Sequence, residues 1–227
     1  MKTKFNIYLS LVALVLLMSS CARQAYESSA LNELNSPRKT IAVLPYEVVF
    51  EGRKPKNITD EEIEAMAIGD SELFQSSLYR HILDRVRRKK KFNLRVQNFN
   101  DTNALLEKAG ISTKDSWTMP SAELANILGV DAVIKSSVYT QRYISDGASL
   151  AIRAGRTAID LLTRGPVPGA SLERTADVYV STSIVDATDE TVLWSSSGRC
   201  PTDFNLRPEQ AVDRINRTVT RRFRFTD

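Results

Sequence analysis

Cysteine and histidine are scarce in this chain, which has two cysteines and one histidine among 227 residues. A zinc site needs several such ligands at short spacing, whereas Cys21, His81 and Cys200 are widely separated in the sequence. His81 lies beside basic residues, so we interpret it as a surface or interface residue and not as a ligand. The sequence therefore predicts neither a metal site nor a cofactor.

Signatures of catalysis are also missing. The sequence has no glycine-rich phosphate-binding loop, no serine or cysteine nucleophile motif and no metal-spaced histidine pair. Enzymes need a polar constellation of that kind to act on a substrate. We therefore predict that the protein is not an enzyme.

The apolar run near the amino terminus is short. It extends from Ile7 to Met18, is interrupted only by Ser10, and follows Lys2 and Lys4. A helix that crosses the hydrocarbon core of a membrane needs about 20 apolar residues. A charged start, a short apolar core and small residues behind it are typical of a secretory signal.

The residues around Cys21 indicate the type of signal. Leu16 to Cys21, LLMSSC, resembles the lipobox of bacterial lipoproteins, with Met18 at the third position before the cysteine and Leu17 one place early. The resemblance implies that residues 1–20 are removed and that the Cys21 thiol and the new amino group are acylated with fatty acid such as palmitate. An ordinary signal peptide that happens to precede a cysteine is the alternative.

Charge of either sign is in little excess. Removing Lys2 and Lys4 from the 31 basic residues leaves 29 against 27 acidic ones, a net charge of +2. This balance gives no reason to expect nucleic acid as a partner. The basic run Arg85–Lys91 lies at the end of a predicted helix, where cations are stabilised by the helix dipole; contact with anionic headgroups or an acidic partner is the alternative.

Residues 21–38 are polar with little periodicity, and we predict a lipidated tether there. Such a segment would reach about 55 Å when extended and about 20–25 Å as a coil, and a short helix near Ser29–Leu34 stays open. Ala22 and Arg23 lack the acidic residue that retains enterobacterial lipoproteins at the inner membrane. That analogy favours the outer membrane, with the protein facing the periplasm.

Cys200 has no partner within the chain if Cys21 carries lipid. The exported domain would then fold without an internal disulfide, although disulfides are common outside the cytosol. We interpret Cys200 as an inert thiol, and pairing between chains is the alternative.

Local patterns predict an α/β domain from residue 39 onward. Thr40–Leu44 reads as a buried strand that continues beyond Pro45 with altered alignment. A helix is predicted from Thr59 to about Arg88, and others over Asn100–Lys108 and Ala122–Leu128, whereas Ile111–Met119 is predicted as a loop. Gly129 would end the third helix before the strand Val130–Tyr139, which favours a partly parallel sheet.

The last third of the chain predicts an antiparallel hairpin followed by a helix. Ala176–Asp186 alternates strictly between apolar and polar residues, and Thr191–Ser197 returns after a turn. Trp194 is expected in the core. The final helix begins at Pro208.

Four segments resemble a known superfamily: Ile41–Pro45, Glu123–Ile134, Ile184–Thr188 and Val192–Trp194. They are similar to the envelope lipoproteins of the curli-secretion (CsgG-like) superfamily, whose fold is related to the amino-terminal domain of TolB and to the penicillin-binding-protein activator lipoproteins. The resemblance implies a Rossmann-like, anticodon-binding-domain-like α/β sandwich, in which helices flank a mixed β-sheet. It also implies a role in binding or assembly, without catalytic residues.

The segment 141–175 departs from that superfamily. In curli-secretion channels the corresponding segment forms membrane-crossing hairpins, but charged residues interrupt it here at Arg153, Arg156, Asp160 and Arg164. We predict a helical insertion within a single domain over 39–227, and an interface or membrane-surface element is the alternative.

These observations predict a lipid-anchored, non-catalytic lipoprotein that binds or assembles with other envelope proteins. The alternative is a subunit of an outer-membrane secretion channel of the curli-secretion type. Homo-oligomerisation stays open, and the predicted contact with the membrane is through the lipid on Cys21.

Overall fold

The structure is a computed structural model. It describes residues 25–35, 39–52, 59–88, 94–142, 176–201 and 208–223. The predicted lipidation site Cys21, the predicted signal peptide and nearly all of the predicted insertion lie outside these ranges.

Seven strands in the described residues belong to one sheet. They are β1 (Ala25–Glu27), β2 (Thr40–Val43), β3 (Glu47–Gly52), β4 (Arg95–Val96), β5 (Ala132–Arg142), β6 (Ala176–Asp186) and β7 (Val192–Pro201).

The helices of the described residues follow the same chain order. They are a 3-10 helix (Ser29–Asn35), α1 (Asp60–Arg88), α2 (Phe99–Lys108), α3 (Thr113–Thr118), α4 (Ser121–Leu128) and α5 (Pro208–Arg222).

The sheet is mixed, which confirms the predicted fold class. Its order is β1-β7-β6-β5-β2-β4, and β3 also pairs with β5. Strands β2 and β3 run parallel to β5, and β4 runs parallel to β2. The pairs β5–β6, β6–β7 and β7–β1 are antiparallel. Helices that follow β2 and β4 provide the long crossovers that parallel strands require.

Strands β2 and β3 are two parts of one interrupted strand beside β5. Val43 lies opposite Ile134, and Glu47 lies opposite Ser137, so three residues on one side face two on the other. Pro45 lies in this break, where a missing N–H costs no ladder hydrogen bond. The predicted continuation with altered alignment is confirmed.

Helices cover the two faces of the sheet unequally. On one face, α1, α5 and the 3-10 helix pack over the main core, which includes Phe74, Ile134 and Trp194. On the other face, α2 and α4 pack over a smaller core that includes Ala42, Val133 and Val185. Each face therefore buries apolar side chains, as the alternation within strands requires.

Helix α1 begins and packs as its sequence predicts. Thr59 Oγ1 accepts a hydrogen bond from Glu62 N, and Glu62 Oε2 accepts one from Thr59 N, a reciprocal cap of the first turn. His81 Nε2 lies 2.8 Å from Asp213 Oδ1, which joins α1 to α5. His81 therefore joins two helices of the same chain, a contact that the interpretation as a surface or interface residue did not include.

The predicted boundaries near α2 and α3 are wrong in two places. Helix α2 begins at Phe99 and not at the predicted Asn100, after the cap Asn98, whose Oδ1 accepts a hydrogen bond from Asn100 N. The predicted loop 111–119 contains α3, which has a reciprocal cap between Ser112 and Asp115. An aspartate at this position of the cap replaces the more familiar glutamate or glutamine, which explains why the helix was missed.

The prediction of a tether does not hold for residues 25–35. Strand β1 pairs antiparallel with β7, and Ser28 N donates a hydrogen bond to Leu193 O at 2.9 Å. The side chains of Leu31 and Leu34 are 0% and 2% exposed in the main core. Two leucines in a single helical turn are too short a pattern to show periodicity, so their burial was not visible from the sequence.

The hairpin β6–β7 confirms the predicted alternation. Val178, Val180, Thr182 and Ile184 are buried on the side of α1 and α5. Trp194 is 2% exposed and meets the edge of Phe223 at a centroid distance of 5.2 Å. Its predicted place in the core is confirmed.

Candidate binding face

Among the described residues, no helix covers a large part of the sheet on the side of α2 and α4. These helices cover β2 and the ends of β5 and β6 near Val133 and Val185. Farther along β5, β6 and β7, the side chains of this side are polar or aromatic and partly or fully exposed. We call this uncovered region the open face.

Strand register arranges the open face in three rows that cross the sheet. The first row is Lys135, Ser183, Ser195 and Tyr26, the second is Glu47, Ser137, Ser181 and Ser197, and the third is Val49, Tyr139, Tyr179 and Arg199. Residues in register on neighbouring strands point to the same side, about 5 Å apart. The open face is therefore a continuous surface of hydroxyl groups with tyrosines at one margin.

Tyr139 and Tyr179 form a directly opposed pair in the third row. Their exposed fractions are 37% and 41%, and Tyr26 at the sheet edge is 54% exposed. The sheet buries Trp194, so these exposed large side chains indicate contact with another surface.

A small groove lies where the open face meets α3. Its volume is about 110 Å³, and it is lined by Glu47, Trp117, Lys135 and neighbouring serines. Lys135 Nζ donates a hydrogen bond to Met119 O at 2.6 Å. Burial lowers the pKa of the Lys135 ammonium group, against the opposing effect of Glu47 and Glu190.

A second, larger cleft lies between α1, α2 and α3. Its volume is about 430 Å³, and Glu72, Asn103 and Glu107 are among its lining residues. Asn103 is engaged with Gln75 through two amide hydrogen bonds, and Gln75 Nε2 also donates to Val43 O. The Asn103 amide therefore holds α2 against α1, and the charged side chains that line the cleft are those of Glu72 and Glu107.

The predicted site residues are not brought together. Cys21 lies outside the described residues, so its lipidation stays a prediction. Cys200 belongs to β7, where its backbone is in register with Val178. Arg85, Arg87 and Arg88 lie in the last turn of α1, as predicted. The secretion-channel alternative depends on residues 143–175, outside the described ranges, and also stays a prediction.

The open face was only half visible in the sequence. Alternation placed Tyr179, Ser181 and Ser183 together on the second side of β6, opposite the buried residues. Sequence reasoning did not show that Tyr139 and Lys135 of β5 align with them, or that no helix covers them. Those facts depend on the pairing of strands and the lengths of the crossovers.

Two features are absent from the described residues. None of their helices is long and apolar enough to span a membrane. Within the same ranges, no group of three or more histidine, cysteine or acidic side chains is placed to hold a metal ion.

The described residues thus define an α/β domain with a mixed sheet that is covered by helices on one face and half covered on the other. No family model matches the sequence, and no curated protein matches it.

Solved bacterial structures resemble the chain at low identity. The PelC dodecamer from Paraburkholderia phytofirmans is 11% identical, with 88% of this chain and 95% of that chain covered and a TM-score of 0.41. Lipoprotein GNA1162 from Neisseria meningitidis is 14% identical, with 81% and 95% covered and a TM-score of 0.42. The LpoB C-terminal domain from Salmonella enterica is 9% identical, with 76% and 93% covered and a TM-score of 0.35. At these values no residue role or function is taken from them.

Proposed function

We propose that the protein is a non-catalytic, lipid-anchored envelope lipoprotein that binds or assembles with other envelope proteins through the open face. The lipid is attached to Cys21, and the domain faces the periplasm from the outer membrane. Support for the anchor comes from the signal sequence and the lipobox-like residues before Cys21.

The observation that carries the proposal is the uncovered half of the sheet. This region presents serine hydroxyls, which can donate and accept hydrogen bonds, beside the exposed Tyr26 at the edge of the sheet. Tyrosine is enriched at protein interfaces because it combines a large apolar ring with a hydrogen-bonding tip.

The groove adds a point of specificity to this surface. Lys135 is partly desolvated, and its ammonium group has one donor engaged with Met119 O. Two donors remain for a carboxylate or a carbonyl oxygen of a partner. A charge-assisted hydrogen bond of this kind is stronger than a neutral one, so a side chain of the partner can be selected here.

Photo-crosslinking in intact cells tests the proposal. A photoreactive amino acid at Ser181, in the middle of the open face, is expected to give discrete protein adducts. The same residue at Lys108, which is exposed on α2, serves as the control. Adducts at both positions alike, or at neither, would contradict the proposed role of the open face.

Mass spectrometry of the mature chain tests the anchor separately. The expected amino-terminal peptide begins at Cys21 and carries diacylglycerol and a fatty acyl group. An unmodified Cys21, or a chain that begins elsewhere, would contradict the lipoprotein assignment.

A further inference from the structure

The position of β1 restricts how the domain can lie on a membrane. Ala25, the first residue of β1, is in register with Ser196 of β7, and Glu27 is in register with Trp194. Followed backward toward Cys21, the chain in β1 therefore runs toward the Arg199 end of β7. Four residue steps separate Ala25 from Cys21, a reach of at most about 14 Å.

The same end of the sheet carries the tyrosine pair. Arg199 is in register with Tyr179, and Tyr179 with Tyr139. From Ser196 to Arg199 is three residues along β7, or about 10 Å. The third row of the open face is therefore within the reach of a lipid attached to Cys21.

We propose that this end of the open face, with Tyr139, Tyr179 and Arg199, contacts the lipid headgroups of the membrane in which the protein is anchored. The inference rests on the proposed lipidation of Cys21. The connection between the lipid and the domain is then short, because residues 25–35 are held by β7 and by the burial of Leu31 and Leu34. We call this short connection between Cys21 and β1 the short mount.

The side chains in this row suit a headgroup surface. Tyrosine is enriched at the membrane–water interface, where its ring lies among acyl chain ends and its hydroxyl stays hydrated. The Arg199 side chain is exposed, and its positive charge is attracted to the phosphate groups of lipids. The first and second rows, farther from this end, are left for protein partners.

Fluorescence quenching by spin-labelled headgroups tests the orientation. The mature, lipidated protein is reconstituted in phosphatidylcholine and phosphatidylglycerol vesicles that contain phosphatidylcholine with a spin label on its headgroup. One variant carries Tyr179→Trp, and a matched control carries Val192→Trp. Both have a Trp117→Phe background, in which the buried Trp194 gives a common baseline.

Val192 is a suitable control because it is 38% exposed and belongs to the same hairpin. Its register partner Val185 points to the same side of β6 as Tyr179. Val192 lies seven residues from Arg199 along β7, which corresponds to about 23 Å. The two reporters therefore differ mainly in distance from the proposed membrane-facing end.

The expected result is a loss of fluorescence at position 179 and none beyond the baseline at position 192. Quenching at both positions, at neither, or only at position 192 would overturn the orientation. Because mass spectrometry of Cys21 is done on the same sample, a chain without lipid would show instead that the proposed anchor fails.

A second variant tests the short mount itself. Ten glycine and serine residues inserted between Cys21 and Ala22 form a flexible coil and leave β1 intact. The insertion is expected to reduce quenching at position 179. Unchanged quenching would overturn the conclusion that the short connection to β1 sets the orientation.

Discussion

Tyr46 donates a hydrogen bond from its hydroxyl to Asn216 Oδ1 at 2.7 Å, and both side chains are fully buried. The bond connects the break between β2 and β3 to α5, 170 residues later in the chain. Asn216 Nδ2 in turn donates to Phe74 O in α1. One amide thus links the interrupted strand and both helices of the main core.

Tyr46→Phe is expected to lower the free energy of unfolding by about 1–3 kcal/mol, because the buried Asn216 Oδ1 loses its donor. Urea denaturation measures the change, and Tyr26→Phe, at an exposed tyrosine, is the control. Equal effects of the two substitutions would show that the buried bond contributes little.

The ion pair between Lys39 and Asp131 predicts a dependence of stability on acid. Lys39 Nζ lies 2.9 Å from Asp131 Oδ1, and Thr40 N donates to Oδ2. Burial acts to raise the pKa of Asp131, but the hydrogen bonds from Lys39 and Thr40 outweigh it, and the pKa is lowered from 3.8. The charged carboxylate is therefore favoured by folding.

A carboxylate with a lowered pKa stabilises the fold above its unfolded pKa and loses that effect as pH falls through the folded value. The stability difference between the native chain and Asp131→Asn should therefore be largest above pH 3.8 and shrink below it. Urea midpoints between pH 2 and 6 measure this, with Glu107→Gln as an exposed control. A difference that stays constant with pH would contradict the prediction.

Residues 25–35 are expected to contribute to stability and not only to connect. Leu31→Ala removes a fully buried side chain from the main core and should cost about 2–5 kcal/mol. The neighbouring exposed Glu33→Ala is the control and should have little effect. Thermal and urea unfolding of the two variants measure these effects. Equal stability of the two variants would instead support a flexible tether over residues 25–35.

Two glycines in helical contexts should respond to alanine in opposite directions. Gly129 ends α4 with φ +65°, a left-handed conformation, so Gly129→Ala should destabilise by about 1 kcal/mol. Gly69 lies inside α1, and a Cβ there would meet no atom within 4 Å. Gly69→Ala should therefore stabilise by about 0.5–1 kcal/mol. A destabilising Gly69→Ala would reveal a close neighbour that the described residues do not include.

Much of the secondary structure could be predicted, because its signals are local. The apolar run of β2, the spacing of apolar residues in α1 and the alternation of β6 all correspond to observed elements. The role of Gly129 followed from the need for a left-handed residue at a helix end. Helix α3 is not predicted from the sequence, because a helix of six residues has a capping pattern but almost no apolar periodicity.

The candidate site was less predictable. The alternation of β6 showed a polar side, but a polar side is ordinary for a half-buried strand. Its significance comes from Tyr139 and Lys135 of β5 lying beside Tyr179 and Ser183 in register. A residue shift of one in that pairing would have turned the tyrosine to the opposite side of the sheet.

Patterns within short windows of the chain were sufficient for the signal, the lipobox-like cysteine, the strands and most helices, since each depends on neighbours a few residues apart. Two features needed the folded chain. Residues 25–35 join the sheet because Ala25 meets Ser196, 171 positions later. Within the described ranges, α2 and α4 pack over Val133 and Val185 and leave the rest of β5 and β6 without a helix on that side. Contacts between residues so far apart in the chain produce no periodic pattern in the sequence. Both features were therefore determined by tertiary packing.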